Sequence, residues 1–242
     1  DVCDQALRDV DVAYYLIHAI GSPGDFEETE RHTAEVFAQA AKANKVGKIV
    51  YLGGIQNDPK LSPHLRSRAE VGNIFLSSGV PTIAFGAAVI IGSGSLSFEM
   101  LRYLTERLPA MITPRWVRTK IQPISIRDVL RYLIESRNLP AGLNRTFDIG
   151  GPDVLTYQKM MHGYAKVAGL RKRIILPINL LSPGLSARWI GLVTPVPKNI
   201  ARPLVDSLKT EVICAEHDIK QYIPDPPEGL LGFEDSVAIA LT

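Results

Sequence analysis

Two consecutive strand-to-helix patterns between residues 46 and 94 constrain the fold more than any other part of the chain. KIVYLGGI (residues 48–55) and PTIAFGAAVII (residues 81–91) are nearly continuous apolar runs, which are typical of parallel strands buried on both faces. Residues 63–78 lie between them and predict a helix that ends at Gly79. Strands and helices in this order indicate parallel strands joined by βαβ crossovers.

The residues upstream predict another unit of the same kind. VAYYLIH (residues 12–18) is a third apolar run, and a helix should follow it. Asp25 precedes Glu28 by three residues, which predicts a capping box, and Glu27 and Glu30 suit the positive end of the helix dipole. Because the strands recur about every 35 residues, we expect a doubly wound α/β sheet with its strands parallel.

Beyond Gly94 the alternation becomes less regular. The pattern predicts helices over residues 97–107 and 128–137, strands over 122–126 and 145–151, a helix that Thr156 caps and Gly169 ends, and helices near 203–209 and 234–241. Residues 170–242 contain many prolines and short apolar pieces. This half is more typical of a substrate lobe than of a sheet.

The charge balance argues against nucleic acid and anionic lipid as partners. The chain has 27 basic and 25 acidic residues and a net charge of +2, without a strongly basic region. Arg115, Arg118 and Lys120 form the densest basic cluster. Both a solvated face and an anion-binding wall explain such a cluster, so the two interpretations stay open.

Cysteine usage indicates a reducing, cytoplasmic setting. Cys3 and Cys214 are far apart and form neither a disulfide framework nor a metal-binding spacing, and the histidines are scattered.

The apolar stretch over residues 174–197 is interrupted by Pro177, Pro183 and Arg188. It is therefore shorter than the roughly 20 unbroken residues of a membrane span.

One glycine-rich turn follows a strand and precedes a helix. Gly92 and Gly94 occupy two glycine positions of a pyrophosphate-binding turn, but Ser97 stands at the third. No acidic residue follows at the distance that ribose recognition requires. We therefore do not predict a phosphate cradle here.

The order of DVDVAYYLIHAI, KIVYLGGI, HLRSRAEVG, VPTIAFGAAVIIGSGS, QPISIRDV and RTFDIGGPDVLTY resembles the atypical, extended branch of the short-chain dehydrogenase/reductases, in particular NmrA-like NAD(P)-binding proteins. The resemblance covers residues 1–157 and is looser afterwards. It implies a Rossmann-like domain over 1–157, with substrate-lobe insertions after 94, and a smaller, mostly helical lobe over 158–242. The family's first βαβ unit has no counterpart, so we expect an N-terminally incomplete sheet.

The resemblance also implies where catalytic residues would stand. The family's Tyr-x-x-x-Lys falls on His64 and Arg68, and its catalytic serine or threonine falls on Gly53 or Gly54. Arg68 has the donors to hold a cofactor ribose but does not deprotonate. His64 can exchange a proton near neutral pH, although a surface role at the helix start is the alternative.

Cofactor contacts are expected where open parallel sheets bind their ligands, at the carboxyl ends of the strands. The cofactor-binding positions implied by the resemblance are Asp1, Val2, Ile17, His18, Ala19, Gly53, Gly54, Arg68, Ala87, Ala88 and Val89. Arg118 is the expected substrate-facing cation. Thr156 and Tyr157 are expected to be a cap and a packing residue, and Tyr14 and Tyr15 core residues of the first strand.

The resemblance implies NAD(P) as cofactor, with NADP(H) more expected than NAD(H). The implied activity is that of an oxidoreductase-like or isomerase-like protein acting on a small organic substrate. Because all three usual catalytic residues are replaced, a non-catalytic NAD(P)-reading redox sensor or scaffold stays open, as does a fragment without cofactor function. The expected partner is a small-molecule substrate or ligand, and a homodimer is compatible with the resemblance.

Overall fold

A computed structural model describes residues 2–19, 26–57, 61–177 and 206–242. The helices are α1 (Val2–Ala6), α2 (Phe26–Ala43), α3 (Pro63–Ser77), α4 (Leu96–Arg107), α5 (Ile126–Glu135), α6 (Tyr157–Val167) and α7 (Phe233–Leu241). The strands are β1 (Val12–Tyr15), β2 (Lys48–Gly54), β3 (Thr82–Ala87), β4 (Ile90–Ile91), β5 (Ala110–Thr113), β6 (Lys120–Ile121), β7 (Ile124–Ser125), β8 (Arg145–Ile149), β9 (Leu155–Thr156) and β10 (Ile174–Pro177).

The main sheet has the strand order β1-β2-β3-β8, with every neighbouring pair parallel. Helices α2 and α3 bury one face of the sheet around Tyr15, Tyr51 and Phe75, and α5 buries the other around Phe85 and Phe147. Apolar strands covered on both faces by helices are what a doubly wound sheet requires. The predicted fold class is therefore confirmed.

The first strand is shorter and less buried than its apolar sequence predicts. Tyr15 is only 2 % exposed, whereas Tyr14 is 40 % exposed, so the expectation that both tyrosines are core residues is wrong for Tyr14. Successive side chains of a strand point to opposite faces, and β1 lies at the edge of the described sheet. The Tyr14 hydroxyl instead donates a hydrogen bond to the Leu133 carbonyl at 3.0 Å.

The third predicted strand is divided in two. Strand β3 pairs with β2 and β8 as far as Ala87, and the chain then leaves the main sheet. The next two-residue strand, β4, pairs with β7 in a separate small sheet. This departure places residues 88–97 above the carboxyl edge of the main sheet.

A third core lies among the helices α4, α6 and α7. Phe98, Met160, Tyr164 and Val237 belong to it, and residues from Ile55 onward contribute. Thr156 caps α6 by accepting a hydrogen bond from the Lys159 amide at 3.2 Å, as predicted.

Two sequence predictions concern residues outside the described ranges. Asp25 lies outside them, as does part of the helix predicted near residues 203–209.

Within the described ranges no helix combines the length and apolarity needed to cross a membrane. Neither Cys3 nor Cys214 takes part in a disulfide bond.

Candidate functional site

A cavity of about 540 Å³ opens at the carboxyl ends of β1, β2 and β3. One part of its wall comes from the ends of these strands and from α3. The rest comes from residues 92–97, Ile121, Ile126, Tyr157, Ser207, Leu208 and Val212. The cavity therefore touches both the parallel sheet and the helical part of the chain.

Backbone forms the floor of this cavity at the end of β2. A Cβ atom at Gly53 would lie 2.7 Å from the Tyr51 ring, and one at Gly54 would lie 2.9 Å from a methyl group of Leu65. Side chains at these positions would force their neighbours to shift. The glycines thus allow Tyr51 and Leu65 to pack closely against the end of β2.

The start of α3 places two polar side chains on the cavity wall. Ser62 caps the helix by accepting a hydrogen bond from the Leu65 amide at 3.2 Å, and Pro63 follows as the first helical residue. His64 and Arg68 are four residues apart, so they lie one turn apart on the same helix face. Both line the cavity.

The imidazole of His64 is held in its uncharged form. Burial lowers the pKa of His64 to about 4, and the positive charge of Arg68 acts in the same direction. Burial also lowers the pKa of His18, whose ring centroid lies 6.5 Å from that of His64. The Nδ1 atom of His64 is buried and has no hydrogen-bond partner in the described part of the chain. At neutral pH His64 is therefore a weak proton acceptor and does not supply an imidazolium.

Arg68 is engaged by several protein groups. Its guanidinium donates to the Ile17 carbonyl at 3.1 Å and to the Leu52 carbonyl, and it lies 4.9 Å from the centre of the Tyr51 ring. Its Nη1 atom is 3.9 Å from a carboxylate oxygen of Glu30. These contacts connect the segment after β1 with the end of β2.

Glu30 completes this arrangement and is buried, which the sequence did not reveal. The residue is 3 % exposed, and its carboxylate accepts hydrogen bonds from the Ala19 amide at 2.9 Å and the Ser67 hydroxyl at 2.5 Å. Its predicted role at the positive end of the helix dipole is therefore incomplete. Glu30 shares a helix face with the buried Ala34, Ala38 and Ala41, and a carboxylate on an apolar face was the available signal.

Most of the predicted site residues come together at the cavity. Those that line it are His18, Gly53, Gly54, His64, Arg68, Ala87, Ala88 and Val89. Ile17 and Ala19 instead contribute backbone groups to the contacts of Arg68 and Glu30. The catalytic and cofactor-binding roles of all these residues stay predictions.

Two other predicted positions lie elsewhere. Val2 is 80 % exposed on α1, and Arg118 is exposed in a 3₁₀ turn; neither lines the cavity. Asp1 lies outside the described residues.

The cavity also contains residues for which the sequence analysis assigned no ligand role. Tyr157 lines it, as do serines of the 92–97 turn, Leu208 and Val212. Tyr157 also packs edge-on against Trp116, with ring centroids 5.7 Å apart, so its expected packing contact is present as well. The helix-capping pattern located Tyr157 at the start of α6, but only the tertiary structure places it beside α3 and the sheet.

No protein-family model matches the chain, and no curated protein does. Among solved structures, it resembles the Citrobacter sp. triphenylmethane reductase (16 % identity, TM-score 0.74, 99 % of this chain and 79 % of that one). It also resembles the Escherichia coli NADPH-dependent quinone oxidoreductase crystallised with NADPH (17 %, 0.71, 99 % and 80 %). A third is a Staphylococcus aureus nucleoside-diphosphate-sugar epimerase (14 %, 0.71, 98 % and 79 %).

At 14–17 % identity, these similarities show that the chain shares the fold of these three proteins.

Proposed function

We propose that this chain binds NAD(P) at the carboxyl edge of its parallel sheet and reduces a small organic substrate in the adjoining cavity. The observation that carries the proposal is the cavity at the ends of β1, β2 and β3, with its floor of backbone at Gly53 and Gly54. Open α/β sheets bind ligands at this edge. The similar triphenylmethane reductase has been crystallised with NADP(H) and the similar quinone oxidoreductase with NADPH.

The residues at this edge fit a nicotinamide ring. Gly53 and Gly54 offer a flat floor, and Ala87, Ala88 and Val89 offer small or apolar groups beside it. A cavity of about 540 Å³ lies within the size range of small-molecule sites. A bound reduced nicotinamide would supply a hydride, and these residues would orient its ring and exclude water.

Charge at the site favours a reductase over an isomerase. An isomerase of this fold class would need a group that takes and returns a proton, and the lowered pKa of His64 makes it a poor base. Arg68 remains charged and is already bound to two carbonyl groups. The site therefore suits an electron-poor substrate that accepts hydride and takes its proton from water. The names of two similar proteins, a reductase of triphenylmethane dyes and a quinone oxidoreductase, are consistent with this class.

A second candidate is a protein that binds NAD(P) without turning it over. The engagement of Arg68 and the uncharged state of His64 favour it, because neither side chain then replaces the missing Tyr-Lys pair.

The proposed reductase binds its cofactor with residues 1–157 and its substrate mainly with residues 158–242. We further propose that it acts in the cytoplasm as a monomer or homodimer.

Cofactor binding is tested by fluorescence titration of the protein with NADPH and NADH. Ala88→Phe would fill the cavity beside the expected nicotinamide, and we expect it to weaken binding at least about tenfold, or about 1.4 kcal/mol. Ala141→Phe adds the same bulk at an exposed position outside the cavity and should leave the affinity unchanged. Absence of saturable binding to the unmodified chain, or equal loss in both variants, would refute the proposal.

Turnover separates the two candidates. The reductase predicts that NADPH is oxidised when a quinone is added, and that Ala88→Phe slows this oxidation. The sensor predicts saturable binding without oxidation for every such acceptor. His64→Gln and Arg68→Met then show whether the replaced catalytic positions contribute to any turnover.

A further inference from the structure

Tyr157 is the first residue of α6 and forms part of the cavity wall. Thr156 caps the helix immediately before it, which fixes where the tyrosine side chain leaves the backbone. Trp116 packs edge-on against the tyrosine ring at an interplanar angle of 87°. The residue is 5 % exposed, so its ring is held in one place beside the cavity.

Burial alone shifts the pKa of the Tyr157 hydroxyl: neither a hydrogen bond nor a charge from the described residues contributes to the shift. Buried tyrosine hydroxyls usually find a partner, because a lost hydrogen bond to water is otherwise not replaced. Burial raises the pKa of Tyr157, and no neighbouring charge opposes this effect. The hydroxyl thus stays protonated over the physiological range and can donate a hydrogen bond into the cavity.

The remaining wall favours an uncharged ligand with a large apolar part. Leu16, Leu52, Ile121, Leu208 and Val212 contribute apolar surface. Arg68 is the one Lys, Arg, Asp or Glu side chain among the described lining residues, and its guanidinium already contacts protein carbonyls and Glu30. A ligand charge would therefore lack a matching free charge on this part of the wall.

We propose that Tyr157 is a substrate-binding residue whose hydroxyl donates a hydrogen bond to a carbonyl-type oxygen of an uncharged, mainly apolar substrate. The inference rests on the proposed function, since it names the substrate class of the same cavity. It adds a binding role to the packing role that the sequence predicted. Because no cation of the described residues acts on the hydroxyl to stabilise a phenolate, Tyr157 binds and polarises the oxygen while keeping its own proton.

The test compares two aromatic probes of similar shape, 2-acetylnaphthalene and 2-ethylnaphthalene, which differ in the carbonyl oxygen. Their dissociation constants are measured by ligand-observed NMR titration of the full chain. Tyr157→Phe should weaken binding of 2-acetylnaphthalene by about three- to tenfold, the effect of one neutral hydrogen bond, and should change 2-ethylnaphthalene binding less than about twofold. Tyr164→Phe is the matched control on the same helix, because its hydroxyl bonds to Glu106 outside the cavity lining.

Equal affinity of the unmodified chain and Tyr157→Phe for 2-acetylnaphthalene would overturn the inference. So would an equal loss for both probes, since that would indicate a packing defect, or failure of the unmodified chain to bind either one. The NADPH titration is independent of these results. NADPH binding without probe binding would reject the substrate class alone, whereas probe binding without NADPH binding would reject the proposed cofactor function alone.

Discussion

Arg68 brings together groups from three separate parts of the chain. Its guanidinium contacts the carbonyls of Ile17 and Leu52, and Glu30 on α2 lies beside it. The side chains of Arg68 and Glu30 are 10 % and 2 % exposed, so solvent does little to screen them. An arginine at this position consequently stabilises the cavity wall whether or not it contacts a cofactor.

We expect Arg68→Met to lower the free energy of unfolding by about 3 kcal/mol, because it leaves Glu30 buried without its cation and leaves two carbonyls without their donor. Urea unfolding measures the change. Arg66→Met is the matched control on the same helix, since Arg66 is 60 % exposed and pairs with Glu27 at the surface. Its effect should stay below about 0.5 kcal/mol, and similar effects of the two substitutions would contradict the structural role of Arg68.

His64 makes stability depend on pH. Its pKa falls from 6.5 to about 4 on folding, so the unfolded chain binds a proton more readily than the folded one. The contribution to stability is complete above pH 6.5 and is lost as the pH falls toward 4. Over this interval we expect a loss of about 3 kcal/mol that His64→Leu does not show. The free energy of unfolding of the unmodified chain and of His64→Leu is measured by urea unfolding between pH 7 and pH 4. If both change with pH in the same way, His64 is not buried as described.

Residue identity alone predicted part of this site. The resemblance placed His64, Arg68 and Gly53 together, and the structure gathers them at one cavity. It gave no indication that Glu30 is buried or that Tyr157 lines the cavity. Their environments depend on elements distant in sequence, since Glu30 meets Ser67 across two helices and Tyr157 reaches the cavity from the helical part of the chain.

Helix boundaries followed local chemistry, whereas strand boundaries did not. Capping residues act within one turn, so the pattern located the starts of α3 and α6 and the end of α3 near Gly79, whose φ of 86° suits glycine. A strand ends where its partner ends or where the chain turns away. Strand β1 ends at Tyr15 although the apolar run continues, and the Ile17 carbonyl beyond it accepts a hydrogen bond from Arg68, a contact that no local pattern encodes.

The capping contribution of Thr156 to α6 can be measured by substitution. Thr156→Ala removes the acceptor of the Lys159 amide and should reduce stability by about 1 kcal/mol. Thr156→Ser keeps the acceptor and should cost only a few tenths of that amount. Thermal unfolding of both variants distinguishes the cap from packing of the Thr156 methyl group. If the methyl group were the stabilising part, serine would be as harmful as alanine.

At the scale of the whole molecule, residues 212–216 connect the sheet to the cavity wall. The Asp148 carboxylate at the end of β8 accepts hydrogen bonds from the Asn57 side chain and the Ala215 amide, both at 2.8 Å. The Asp148 amide donates to Glu216 at 2.7 Å. Val212, at the start of this segment, lines the cavity. The position of the wall thus depends on a carboxylate that belongs to the main sheet.

We expect Asp148→Ala to release this segment, because two donors lose an acceptor that is only 7 % exposed. Stability should fall by about 2 kcal/mol, and amide hydrogen exchange should accelerate over residues 212–216 while β2 and β3 stay protected. Asp218→Ala is the control, since Asp218 pairs with Arg145 at the surface and its loss should cost below about 0.5 kcal/mol. Faster exchange spread evenly over the sheet would mean that Asp148 supports the whole fold. Faster exchange confined to 212–216, together with weaker NADPH or 2-acetylnaphthalene binding, would mean that the sheet sets the shape of the cavity through this one residue.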